Sequence, residues 1–140
     1  MKGSQRRKAR QLAAQAIYSW QITNNAVSDI IESMEEENNV NEFDVVYFEK
    51  LVNGVFRHLD SIDIAYKPHL ARAIDEVDLV EKAVLRVATY ELCECREVPY
   101  KVVINEAIEV AKLFAADDSH KFVNGVLDKA VKFIRKEEFK

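Results

Sequence analysis

Gln5-Arg6-Arg7-Lys8-Ala9-Arg10-Gln11-Leu12-Ala13-Ala14-Gln15-Ala16-Ile17-Tyr18-Ser19-Trp20 holds the densest basic cluster of an otherwise acidic chain. Ala9, Leu12, Ala13, Ala16, Ile17 and Trp20 fall at i, i+3, i+4, i+7, i+8 and i+11. That spacing predicts one helix with a single apolar stripe, which needs a core to bury against. A second stripe runs through Arg7, Arg10, Ala14 and Tyr18, with Arg6 beside it. It predicts an exposed face carrying two guanidinium groups, a small gap and an aromatic ring. Guanidinium forks hold phosphate oxygens bidentately, and rings or guanidinium planes stack unpaired bases. The plainer reading is a solvated face whose arginines keep the protein soluble.

The length of 140 residues suits one domain with a real core. Three Gly and two Pro are sparse punctuation. They argue for long helices with short connections, an all-α class, over a sheet with many turns. A boundary near 73–77 separates an N-terminal half of about 1–72 from a C-terminal half of about 76–140. Residues 1–10 carry five bases and no acid, while the rest carries 15 bases and 24 acids. Such a body repels nucleic acid outside a defined patch, which excludes a general DNA coat. It favours local binding or a basic protein partner.

Cys93 and Cys95 lie two apart in a helical stretch, so their side chains diverge and no disulfide is expected. A reducing cytoplasm fits, and there is no signal peptide or membrane-spanning run. Neither the lone Cys-x-Cys nor the acidic Glu35-Glu36-Glu37 run has metal-site spacing. No cofactor is expected.

Along the chain, Val27, Ile30, Ile31 and Met34 predict a short second helix, capped by Thr23 or Ser28, followed by a loop over Glu35–Asn39. A third helix is expected over Phe43–Leu59, with Gly54 marking close approach by another helix. A fourth begins at Asp60 or Ser61 and runs from Ile62 to about Tyr66, where Pro68 ends or kinks it. Leu79–Glu94 is apolar on more than one face and is the expected central helix. Its polar residues Glu81, Lys82, Arg86 and Glu91 should cluster on what surface remains. Pro99 starts the next helix, which runs to about Phe114, with Asn105 and Glu106 placed to bond between helices. Asp118 or Ser119 caps the last one, and Gly125 allows a close contact. Asp118-Ser119-His120 are consecutive and lack a Gly-x-Ser-x-Gly elbow, so no catalytic triad is expected. His58 and His69 read as structural. No catalytic residue emerges, and the chain is not expected to be an enzyme.

Four segments together carry a resemblance. They are Arg6-Arg7-Lys8-Ala9-Arg10 leading into Ala14-Gln15-Ala16-Ile17-Tyr18-Ser19-Trp20-Gln21, and Glu81-Lys82-Ala83-Val84-Leu85-Arg86-Val87-Ala88-Thr89-Tyr90-Glu91-Leu92. Then come Val98-Pro99-Tyr100-Lys101-Val102-Val103-Ile104-Asn105-Glu106-Ala107-Ile108-Glu109 and Asp118-Ser119-His120-Lys121-Phe122-Val123-Asn124-Gly125-Val126-Leu127-Asp128-Lys129. Nearly the whole chain resembles the NusB family of bacterial transcription antitermination factors.

The resemblance implies about seven helices in two three-helix-bundle halves. It implies binding to boxA, a short single-stranded RNA element of nascent ribosomal RNA operon transcripts. The partner it implies is NusE, a small-subunit ribosomal protein, within a complex with NusA, NusG and RNA polymerase that suppresses termination. By position, RNA contacts map to Arg6, Arg7, Arg10 and Tyr18, and to a second stretch with Asp118, Ser119, Lys121 and Phe122. The free N–H groups of a helix start suit phosphate, whereas Asp118 is electrostatically wrong beside it, so Asp118→Asn should strengthen binding. NusE maps to an acidic, partly exposed side of the central helix, with Glu81 first and Lys82 and Glu91 alongside. Two other readings are an RNA-binding domain assisting RNA modification or ribosomal RNA processing, and a purely structural helical scaffold.

Overall fold

The computed structural model describes residues 2–139, apart from the side chain of Lys2. Among them seven α-helices follow in the order α1 (Lys2–Thr23), α2 (Val27–Glu37), α3 (Val45–Arg57), α4 (Leu59–Tyr66), α5 (Leu79–Glu94), α6 (Tyr100–Phe114) and α7 (Ser119–Ile134). Short 3-10 turns lie at Lys67–His69, Ile74–Glu76 and Lys136–Phe139. The all-α expectation holds.

Helix α1 buries Ala9, Leu12, Ala13, Ala16 and Ile17, the stripe read from their spacing, while Trp20 sits edge-on to Phe56 at 5.7 Å. The acidic run expected as a loop instead completes α2. Glutamate is a good helix former, and Asn38 ends the helix by donating its side-chain N–H to the Met34 carbonyl at 2.8 Å. Neither expected cap closes the start of α2: its N-cap is Ala26, with no side-chain bond. The Thr23 hydroxyl serves its own turn, donating to the Ser19 carbonyl and accepting from the Asn25 N–H.

The span expected as one helix to Leu59 divides at His58 (φ −114°, ψ 26°), and α4 starts at Leu59 rather than Ile62. Asp44 caps α3, accepting from the Tyr47 N–H at 3.0 Å. Gly54 is required: a Cβ there would overlap the Tyr90 ring on α5. Gly125, by contrast, faces open space, so the expected close contact there is absent.

The central helix is α5, which packs against α1, α3, α4, α6 and α7. A capping box fixes its start: Asp78 accepts from the Glu81 N–H at 2.8 Å, and Glu81 accepts from the Asp78 N–H at 3.2 Å. Its end is closed by Arg135, which arrives from the end of α7 and is fully buried. Arg135 donates to the carbonyls of Leu92, Val98, Glu91 and Cys95. Those include helix-end acceptors that have no partner within the helix. Cys93 and Cys95 are free thiols, and burial pushes both above the ordinary thiol range.

Pro99 occupies the N-cap position of α6 rather than its first turn. Asp118 stands at the start of α7 in left-handed backbone (φ 70°), and its side chain caps nothing. One apolar cluster extends from Ala9 to Val131 and includes residues of all seven helices. Helix α1 packs on both α3 and α5, and α4 packs on both α5 and α7.

Candidate nucleic-acid interface

The two arginines expected side by side on an exposed face have different fates. Arg7 keeps 58% of its side chain exposed. Its Nε and Nη2 hold the Glu106 carboxylate of α6 at 2.9–3.2 Å. That hydrogen bond, with Glu106's charge, raises the Arg7 pKa above its ordinary value. Arg10 is a correction, because only 8% of its side chain is exposed. Its Nε and Nη2 grip Glu91 of α5 at 2.8–2.9 Å, and Nη1 lies 3.5 Å from Glu106.

The Tyr47 hydroxyl of α3 completes this cluster, donating to Glu91 at 2.6 Å. Burial opposes the charge on Arg10, but the bond and charge of Glu91 outweigh it and its pKa stays raised. Burial, followed by Glu91's charge, pushes the Tyr47 phenol upward. The cluster ties α1, α3, α5 and α6 together. A buried charge needs its partners, so Arg10 is committed to the fold. The i, i+3 spacing of Arg7 and Arg10 gives no sign of this, because their carboxylates lie about a hundred residues away.

Arg6 is half-buried, with its guanidinium 3.9 Å from the Tyr47 ring centroid and Nε 3.4 Å from Asp44. Tyr18 is 37% exposed and edges a cavity of about 300 Å3 walled by Ala14, Val80, Ala83 and Phe114. It therefore borders the α1–α5–α6 groove, some three turns along α1 from Arg7.

The second stretch is also sorted by burial. Lys121 and Asp118 are exposed and pair with each other at 3.3 Å. Ser119 is buried, a correction, because it turns inward at the start of α7. Phe122 is half-buried, and the Arg72 guanidinium covers one face of its ring at 3.6 Å from the centroid. Arg72 comes from the connection before α5 and also holds Glu81 at 3.0 Å. Sequence reasoning missed it, since nothing around Arg72 has helical spacing to announce its direction.

The expected acidic face of α5 is corrected as well. Glu81 is 2% exposed, spent on the capping box and Arg72, and Glu91 is 1% exposed, spent on Arg10 and Tyr47. Lys82 is half-buried. Arg86 is occupied too, holding Asp63 and the Gln21 side chain. The central position of α5 explains this: with five helices packed on it, its charged residues have to find internal partners. Glu106 does bond between helices as expected, whereas Asn105 faces outward. Among the described residues no group of three or more His, Cys, Asp or Glu could hold a metal ion, and no helix is long and apolar enough to cross a membrane.

Comparison with known proteins places this geometry in context. Residues 7–132 match the model of the NusB family. Transcription antitermination protein NusB of Colwellia psychrerythraea is 59% identical, the match covering 99% of this chain and 100% of that protein. The protein of the same name from Pseudoalteromonas translucida is 58% identical over 97% of this chain and 100% of its own length. A solved structure of T. maritima NusB superposes with a TM-score of 0.83 at 30% identity, covering 95% of each chain. A crystal structure of antitermination factors NusB and NusE in complex with dsRNA contains a chain that matches with a TM-score of 0.81 at 28% identity. That match covers 91% of this chain and 96% of the other.

Proposed function

This chain belongs to the NusB family, and from that premise we propose that it is a non-enzymatic transcription antitermination factor of the cytoplasm. It binds boxA RNA of nascent ribosomal RNA operon transcripts as a heterodimer with NusE. It then acts with NusA, NusG and RNA polymerase to keep transcription running.

The observation that carries the reading is Arg7. It is a largely exposed guanidinium pre-oriented by Glu106, at the basic start of α1 in an acidic body. A held guanidinium loses less freedom on meeting phosphate than a loose one. Arg6, Lys121 and the uncapped start of α7 add attraction, and Phe122, packed on the core beneath the Arg72 guanidinium, borders that stretch. Tyr18 joins the rim of the groove walled by Ala14, Val80 and Phe114, which suits the protein partner better than a phosphate chain. Lys82 lies on the same helix, and Glu81 shapes that end from below by holding Arg72. Arg10, Glu91 and Ser119 support the surface from within.

The test is fluorescence anisotropy of labelled boxA RNA against a scramble of equal composition, at fixed salt, with and without NusE. The reading expects NusE to tighten boxA binding at least tenfold while the scramble binds poorly. Equal binding of both RNAs with no effect of NusE would overturn it.

A further inference from the structure

Helix α6 packs against both α1 and α7, and α1 and α7 share no comparable packing. A strand held by Arg7 on α1 and by Lys121 on α7 therefore has to cross α6. What it meets there is a groove of about 410 Å3 between α6 and α7. Asn105 on α6 and Asn124 on α7 line it from opposite walls, with Asp128 one turn along α7. Asn105 is the residue next to Glu106, the ligand of Arg7, and Asn124 lies one turn beyond Lys121. Among the described residues neither carboxamide has a hydrogen-bond partner within the protein. Lys101 and Lys132 line the far end, where the Tyr100 and Phe139 rings meet at 5.0 Å between centroids.

Charge points the same way. Helices α6 and α7 hold five bases against three acids, whereas residues 11–99 hold seven bases against seventeen acids. The two helices that wall the groove thus form the part of the acidic body that attracts a polyanion. The volume falls in the range of small-ligand sites and admits one nucleotide. Two carboxamides and a carboxylate provide donors and acceptors for a base edge, two ammonium groups take phosphate, and buried Ile104 and Val131 provide an apolar floor.

We propose that this groove is a base-reading subsite for single-stranded RNA. It takes one nucleotide with an amino-bearing base, read by Asn105, Asn124 and Asp128, with Lys101 and Lys132 on its phosphates. A carboxylate accepts from an amino group, which uracil lacks, so the subsite discriminates against uracil. The inference rests on the RNA reading above, and its test separates the two.

The full chain with NusE is titrated with boxA RNA and with a series in which each amino-bearing base in turn is replaced by uracil. Wild type and Asn105→Ala/Asn124→Ala are compared, with Lys101→Ala/Lys132→Ala as the electrostatic counterpart. The carboxamide variant should bind boxA about tenfold more weakly. At one position of the series, the penalty for uracil seen with wild type should vanish. The lysine variant should weaken all RNAs alike and reduce the salt slope by about 1.4, the share of two single-strand phosphate contacts. If the carboxamide variant keeps wild-type affinity and the same base penalties while Arg7→Ala weakens binding, the subsite is refuted and the RNA reading stands. If wild type does not distinguish boxA from a scramble, both fall.

Discussion

Arg7 and Arg10 share a charge, a helix and a stripe, yet they do different work. Replacing Glu91 by Ala leaves the Arg10 guanidinium buried without its main partner and frees the Tyr47 hydroxyl. Breaking a buried pair in this way costs about 3–5 kcal/mol, which urea denaturation would read as a lower midpoint. Asp118 gives the opposite kind of prediction. It is exposed, pairs only with exposed Lys121 and stands at the start of α7. Asp118→Asn removes a charge that repels phosphate and releases Lys121, so boxA affinity should rise about twofold, as expected for one charge acting through water. An unchanged or weaker affinity would place the RNA elsewhere. The sequence revealed that these side chains are polar and grouped, because helical spacing reports which side of a helix a residue occupies. It could not reveal which of them are buried. Burial of Arg10, Glu81 and Glu91 depends on carboxylates and guanidinium groups brought together by the tertiary fold.

The helix ends and helix contacts carry their own tests. Arg135 closes the end of α5 through four carbonyls. Arg135→Ala leaves the Leu92 and Val98 carbonyls without a donor in a buried site, while those of Glu91 and Cys95 keep the backbone N–H groups of Cys95 and Val98. The loss should reach about 3 kcal/mol, again read by urea denaturation. Glu35 on α2 faces Glu49 on α3. That neighbouring carboxyl, together with burial, pushes Glu35 up to about 7, and its Oε2 is buried without a partner. The folded protein thus favours the protonated form. The contribution is complete below the ordinary value of 4.5 and is lost as pH rises through about 7. Melting temperature should fall between pH 5 and 8 in wild type and be flatter in Glu35→Gln; parallel curves would contradict the coupling. Long helices such as α1, α5 and α6 were legible from their apolar residues, a stripe at helical spacing in α1 and α6 and, in α5, a long run that is apolar on more than one face. The break at His58 and the extension of α2 through Glu37 were not. One depends on where α3 and α4 pack, and the other on an Asn38 side chain closing the turn.

At the scale of the molecule, charge is segregated while the core is continuous. Apolar residues of all seven helices form one cluster. The bases, however, concentrate at the start of α1 and along α6 and α7. A strand crossing these elements neutralises few phosphates, about three or four, giving a salt slope of only roughly −2 to −3. Such a contact is weak alone and gains from a second surface, here the groove beside Tyr18 that suits a protein partner. The measurement that tests this account most directly is the boxA affinity of Arg7→Ala with NusE present, at fixed salt, beside its urea denaturation curve. Loss of an oriented guanidinium should weaken boxA about tenfold, while the denaturation midpoint falls by less than in Glu91→Ala, because Arg10 still reaches Glu106, and the variant stays folded without urea. Wild-type affinity in that variant would contradict the account, because the exposed half of the arginine cluster would then have no part in holding RNA.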